Sequence, residues 1–302
     1  MNYLLLLLIG AIWGAQFVLI DASLIAFSPE QLALFRTFYA VVFLVLFCLI
    51  LNIRRSNARS LTDWVKVASI GVLEVVIPFT LVMWAQQFLT GSMASILMGT
   101  IPFFTLLLVM LTKVERASVS KFVAMIVGFI GLLVLLAPDL LSSGLSGSVV
   151  PKLAILLGSL SFAGALIVIK SMPKENAFIL SRDAFAFGTV IMFVINLAQG
   201  NLSDLHFPLI PVTTSVVLGV FCSGLVYVLY VYLIKRAGAG FCSLSNYLVP
   251  LFGSVLGVLI MNDHITLRMV VACLLILLSI AVEPFLSYLK YIVKSRQGAK
   301  SA

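Results

Sequence analysis

The sequence has 302 residues, of which 62% are hydrophobic and only 10% are charged. Soluble globular proteins carry about 25% charged residues, so this composition excludes a single water-exposed domain and reads as a polytopic membrane protein. The formal net charge of +8 is assigned to membrane-flanking loops rather than to a nucleic-acid surface, because no arginine-rich helix or aromatic–basic patch accompanies it.

In chain order, apolar runs long enough to cross a bilayer are expected at about 3–20, 32–52, 65–86, 92–112, 119–138, 152–170, 177–198, 213–234, 241–261 and 267–289. The first run lacks a basic leader and has no A-x-A-like exit before Asp21, so it reads as a retained span rather than a cleaved signal. The third and fourth are divided at Gln86-Gln87 and Thr90-Gly91-Ser92, the polar cluster in that stretch. With no water in the bilayer core, the backbone must satisfy itself, and the spans are expected to be helices. The predicted fold is an all-α integral membrane protein with ten transmembrane helices.

The basic residues set the orientation. With the N-terminus cytoplasmic, 16 of the 19 lysines and arginines fall at the inner ends and loops, from Arg54, Arg55 and Arg59 through Lys235 and Arg236 to the tail at Lys290–Lys300. The exceptions are Arg36, Lys152 and Arg268. Both termini are therefore placed in the cytoplasm. The four cysteines, Cys48, Cys222, Cys242 and Cys273, lie in apolar runs without a CxxC pair, so they read as buried apolar residues and not as disulfides or metal ligands.

The chain also repeats itself. Shifted by 148 residues, Gly10 falls on Gly158, Ser95 on Ser243, Pro102 on Pro250, Glu115 on Asp263 and Ser118 on Thr266. Arg36 meets Arg182 if two residues are skipped. The expected units are residues 1–145 and 146–302, five spans each, the second ending in a short basic cytoplasmic tail. Five is odd, so the second unit enters the membrane upside down. Inverted repeats mark secondary transporters, whose sites lie near the midplane between the units.

Glu74 is the only charge between Lys66 and Lys113. A carboxylate at mid-span costs about 2.5–3.5 kcal/mol, and its retention points to a cavity group that binds an amine or carries a proton; a helix-joining hydrogen bond is the structural alternative. Four residues on, Pro78 removes a backbone donor and frees the carbonyl of Glu74. Ile77, Pro78, Leu81 and Trp84 or Ala85 are expected to share its face. Trp13 and Gln16 in the first span can stack on and orient a ligand. Ser243, Ser245, Asn246 and Tyr247 form a polar cluster before Pro250, with Ser95 and Met98 as repeat-related counterparts near Pro102; the same groups can serve as glue between helices. Tyr227 and Tyr230 complete a candidate aromatic wall. Arg36 and Arg182 are read as structural, by snorkelling or ion pairing. Gly10-x-x-x-Gly14 and Gly253-x-x-x-Gly257 offer close helix crossings.

Three stretches carry a resemblance: "GAIWGAQF" in span one, "FRTFYA" opening span two, and two copies of a small–Pro–acidic pattern, "GSMASILMGTIPFFTLLLVMLTKVE" and "GFCSLSNYLVPLFGSVLGVLIMND". In these the chain resembles the EamA-type branch of the drug/metabolite transporter superfamily over nearly its whole length. The resemblance implies a bacterial inner-membrane carrier for small metabolites, often an exporter of amino acids, with a cavity lined by spans one, three, four, six, eight and nine. The second unit departs from the pattern, with Ser161-Phe162 against Trp13-Gly14 and with Asp263-His264 at the end of its copy.

The expected activity is alternating-access transport of an amino acid, amine or related compound, without cofactor or metal and with Glu74 as substrate or proton site. A small molecule, the lipid bilayer and protons are the expected partners, nucleic acid is not one, and the chain is expected as a monomer or weak homodimer. A membrane-embedded enzyme and a non-transporting scaffold are the alternatives. The enzyme reading lacks a nucleophile–base pair, an HExxH motif and a metal cluster in the sequence, and no Walker A motif supports direct ATP drive.

Overall fold

The computed structural model describes residues 1–55, 58–89, 91–114, 119–142, 149–203 and 205–261, together with Leu267, Val270, Val271, Leu274, Leu275, Leu278 and Ser279. The helices in these segments are α1 (Asn2–Leu24), α2 (Pro29–Ile50), α3 (Leu61–Gln86), α4 (Gly91–Met98), α5 (Ile101–Thr112), α6 (Val119–Ser142), α7 (Val149–Lys170), α8 (Ala177–Ala198), α9 (Leu209–Ala237), α10 (Ala239–Ser243) and α11 (Ser245–Met261). Among the described residues every regular element is helical, and six helices are long and apolar enough to cross a membrane: α1, α2, α3, α7, α8 and α9. The expected span 92–112 is instead two helices, α4 and α5, and 241–261 is α10 followed by α11. The bulk of the tenth expected span lies outside the described residues, as do Glu115, Asp263, His264, Cys273 and the basic tail.

Local chemistry sets several boundaries. Ser28 opens α2 through a reciprocal capping box with Gln31, and Pro29 follows in the first turn. Ser60 and Asp63 do the same for α3, and the Asn176 side chain caps α8. Gly238, at φ +94, makes the sharp turn from α9 into α10; a side chain there would be strained.

Two of the long helices are widened internally. α3 takes a π-helical turn at Gly71–Val76, closed by the amide of Ile77 donating to the carbonyl of Val72. α9 takes another at Val220–Leu225, closed by Val226 donating to Phe221. In α3 the cause is visible in the sequence: Pro78 has no amide to offer the Glu74 carbonyl, and the ladder shifts to a five-residue reach.

Burial is inverted relative to a soluble protein. Large apolar side chains such as Leu46, Leu49, Val190, Phe193 and Leu197 face outward, whereas Arg36, Glu74, Asn196 and Asn246 are enclosed. This is the arrangement a lipid environment selects, with polar groups turned to the bundle interior. α1 crosses α11 at contact distance. A Cβ at Gly10 would stand 2.4 Å from Leu248 Cβ, and one at Gly14 would stand 2.6 Å from Phe252 Cβ, so only glycine permits the crossing.

The two ends of the bundle are closed differently. At one end Gln86 donates to Asp21, Ser23 pairs with Thr214, and Gln31 donates to the Asn201 carbonyl. At the other end Arg59, preceding α3, is clamped between Glu175 and Asp183, and Asp183 is also held by Arg182. Lys235 donates to the Glu175 carbonyl in the same cluster. One end is joined by mostly neutral hydrogen bonds, the other by a charged network.

Candidate functional site

Between the ends lies a small, partly enclosed cavity of about 30 Å³. Its wall combines Trp13, Gln16, Phe17 and Ile20 from α1, Pro78, Phe79, Val82 and Met83 from α3, and Met98, Phe162, Tyr227, Asn246 and Val249 from α4, α7, α9 and α11. These are the six spans expected to line it. A seventh contribution, Arg36 from α2, was not expected there.

Trp13 is the hub. It is nearly fully buried and meets Phe162, Tyr227 and Tyr230 edge-on, at ring-centroid distances of 5.7, 5.5 and 4.7 Å. Such pairs contribute about 0.5–1.5 kcal/mol each beyond the area they bury. Its indole Nε1 donates to the Cys222 carbonyl at 3.2 Å, one of the carbonyls loosened by the π turn of α9. On the α3 side, Ser161 Oγ donates to the Leu73 carbonyl at 2.8 Å.

Glu74 sits in the π turn of α3, one layer behind the wall, 2% exposed. Its Oε1 has no hydrogen-bond partner among the described residues. Its freed carbonyl is approached by the Tyr227 hydroxyl at 3.5 Å, the acceptor role that Pro78 creates. The carboxylate lies within electrostatic reach of the Tyr227 and Tyr230 hydroxyls. Tyr230 Oη is likewise buried, with the Asn246 side chain as its polar neighbour. The orphaned Glu74 oxygen behind an aromatic wall costs free energy unless a ligand, a proton or a movement relieves it.

The Arg36 guanidinium is 2% exposed, so the snorkelling expected of it does not occur: its reach is directed inward, where polar acceptors are held. Nε donates to Ser223 Oγ at 2.6 Å, and Nη2 donates to Gln16 Oε1 at 2.8 Å and to the Cys222 carbonyl at 3.0 Å. The Phe79 ring lies 4.0 Å below it. Arg182, its expected counterpart, stands at the bundle end paired with Asp183.

Other expected site residues separate from the cavity. Trp84 packs on Phe88, because the extra residue of the π turn rotates the rest of α3 and brings Phe79, Val82 and Met83 inward instead. Ser243 and Ser245 turn their hydroxyls to carbonyls of their own segment, at Gly240 and Cys242. Tyr247 donates to the Met125 carbonyl at 2.8 Å and joins α11 to α6. Of that cluster only Asn246 reaches the cavity, while Ser95 is buried in α4 away from it. Met98 lines the wall and accepts from Ser159 at 3.5 Å. Pro102 begins α5, and Pro250 lies inside α11. Phe79 and Phe162 were missed; the substitution of Phe162 for the repeat partner Gly14 was the available signal.

Comparison with known proteins agrees with this architecture. An "Uncharacterized transporter" of Archaeoglobus fulgidus is 25% identical over 264 residues, 87% of this chain and 90% of the relative. "Uncharacterized transporter YoaV" of Bacillus subtilis is 21% identical over 280 residues, 91% of this chain and 93% of the relative. A WAT1-related protein of Arabidopsis thaliana is 21% identical over 84% of this chain and 75% of its own. A solved crystal structure superposes with a TM-score of 0.78 over 94% of this chain and 97% of that one, at 16% identity, and so shares the fold. The profile of the EamA-like transporter family matches residues 1–137 and again 151–282; with both halves of the chain covered, this multi-pass membrane protein belongs to the EamA-like transporter family.

Proposed function

We propose that the protein is a secondary transporter that moves an amino acid, amine or related small metabolite across a bacterial inner membrane by alternating access, in the export direction. Both termini are cytoplasmic in this reading, and Glu74 is the central substrate or proton site. The observation that carries it is the enclosed Glu74 carboxylate, with an unsatisfied oxygen, behind a cavity walled by aromatic and thioether side chains. A carboxylate so placed is expensive unless it exchanges a proton or meets a cation.

Two features support exchange between two related units, 1–145 and 146–302. The π turns at 71–76 and 220–225 fall within one residue of the 148-residue shift. Trp13 and Ser161, which that shift superposes, each donate to a carbonyl in the opposite π turn. The charged network at Arg59 acts as the cytoplasmic latch, and the Asp21–Gln86 contact as its weaker external counterpart.

The test is counterflow of labelled amino acids and amines into liposomes holding wild-type or Glu74→Gln protein, with each variant's unfolding temperature measured alongside. Uptake that is lost in the variant while its unfolding temperature is kept or raised supports the reading, because the amide removes a buried charge. Wild-type uptake that survives the substitution at full rate and with the same pH dependence refutes the role given to Glu74. No counterflow of any compound by wild-type protein refutes transport of these classes.

A further inference from the structure

Arg36 is the second charged group enclosed at the cavity, and the function proposed above gives it no task. Every partner it has among the described residues is neutral: a hydroxyl, an amide oxygen, a backbone carbonyl and an aromatic face. The ion pairs among the described residues involve Arg59 and Arg182 and leave Arg36 without a carboxylate. Charged groups are almost never fully buried unpaired, so an anion is the missing partner.

The geometry says where that anion goes. Nε and Nη2 are engaged, and they fix the plane of the guanidinium on α1 and α9. Nη1 makes no hydrogen bond among the described residues, and the side chain is part of the cavity wall. A tie between helices accounts for Nε and Nη2; it does not account for a free Nη1 held at the cavity. A planar, permanently charged fork is the side chain best suited to a carboxylate.

We infer that Arg36 is the subsite for the carboxylate of the transported molecule. The inference rests on the transport reading and narrows its substrate class. The Glu74 carboxylate stands one layer behind the wall on α3, and its charge favours a cation on that side of the cavity; the ligand is then a zwitterion, an α-amino acid. Phe17, Ile20, Met83 and Val249 give its side chain an apolar surface.

The test is calorimetric binding to the full-length protein in lipid nanodiscs. The twenty common L-amino acids are titrated singly, and the tightest binder is then compared with its amide, its decarboxylated amine and its deaminated acid. The amide and the amine are expected to bind about 30-fold more weakly, the scale of one lost charge-assisted pair. Arg36→Lys is expected to weaken the amino acid about tenfold more than it weakens the amine, because only the amino acid loses the fork.

An amide or amine that binds within about threefold of the amino acid overturns the inference, as does an Arg36→Lys variant that weakens amino acid and amine equally. Amine counterflow with no amino acid bound below about 10 mM overturns it while leaving the transport reading intact. Neither amino acids nor amines bound or moved by wild-type protein overturns both.

Discussion

The latch at Arg59 makes the most direct mechanical prediction. Arg59 donates to both oxygens of Glu175, at 3.1 and 2.9 Å, and to Asp183 Oδ2 at 2.5 Å, with its side chain only 1% exposed. Removing one partner of a fully buried ion pair costs about 3–5 kcal/mol, whereas exposed pairs are worth about 0–1 kcal/mol. Here Glu175 is 20% exposed and Asp183 retains Arg182, so Arg59→Gln is expected to cost about 2 kcal/mol, between those limits. That cost falls only on conformations closed at this end, and it corresponds to about a 30-fold shift in population. Burial opposes the charge on Arg59, but its hydrogen bonds to Glu175 and Asp183 outweigh burial and hold its pKa above the ordinary value. A raised folded-state pKa gives stability that is complete below the unfolded pKa and is lost only above it. The arginine therefore does not titrate between about pH 6 and 9, and neither does its contribution to the latch. Hydrogen–deuterium exchange in nanodiscs reads the effect: peptides covering 171–183 and 58–66 should exchange about 30-fold faster in the variant, and those at the Asp21–Gln86 end should not. Unchanged exchange at the Arg59 end, or acceleration spread evenly through the protein, refutes the latch.

Two substitutions test the packing that positions the cavity. Gly14→Leu drives a side chain into the backbone and Phe252 of α11; overpacking of this kind costs about 1–3 kcal/mol or more, and a lower unfolding temperature with reduced yield is expected, while wild-type stability would show that the helices do not cross as described. Tyr247→Phe removes the hydrogen bond to Met125, costing about 1 kcal/mol, and should lower the unfolding temperature by a few degrees without changing substrate affinity. A change in affinity at constant stability would put Tyr247 back in the cavity.

Much of this architecture was legible because hydropathy reports burial in lipid directly. The expected span 177–198 coincides with α8, and 3–20 lies within α1. What periodicity misses is a change of period. The stripe drawn from Glu74 through Trp84 assumed 3.6 residues per turn, and the wider turn at 71–76 rotated everything after it, so that Val82 and Met83 replaced Leu81 and Trp84 at the cavity. Pro78 was the clue, and its effect on the Glu74 carbonyl was foreseen, but not the rotation. Arg36 was misplaced because proximity to a span end makes an inward and a snorkelling arginine look alike; the acceptors that distinguish them, Ser223 and Cys222, lie 187 and 186 residues away. Glu175 and Asp183 stand 116 and 124 residues from Arg59, and no local pattern joins them.

The carbonyl of Cys222 accepts from both Trp13 and Arg36, and Arg36 is itself held to Gln16. One oxygen thus pins α1, α2 and α9 at a single point, like a rivet through three plates. Breaking it in the proposed cycle would strand a buried guanidinium and an indole donor together, so these three helices are expected to move as one piece. Two of them come from the first half of the chain and one from the second. In the proposed cycle the moving boundary would therefore pass beside this joint rather than through it.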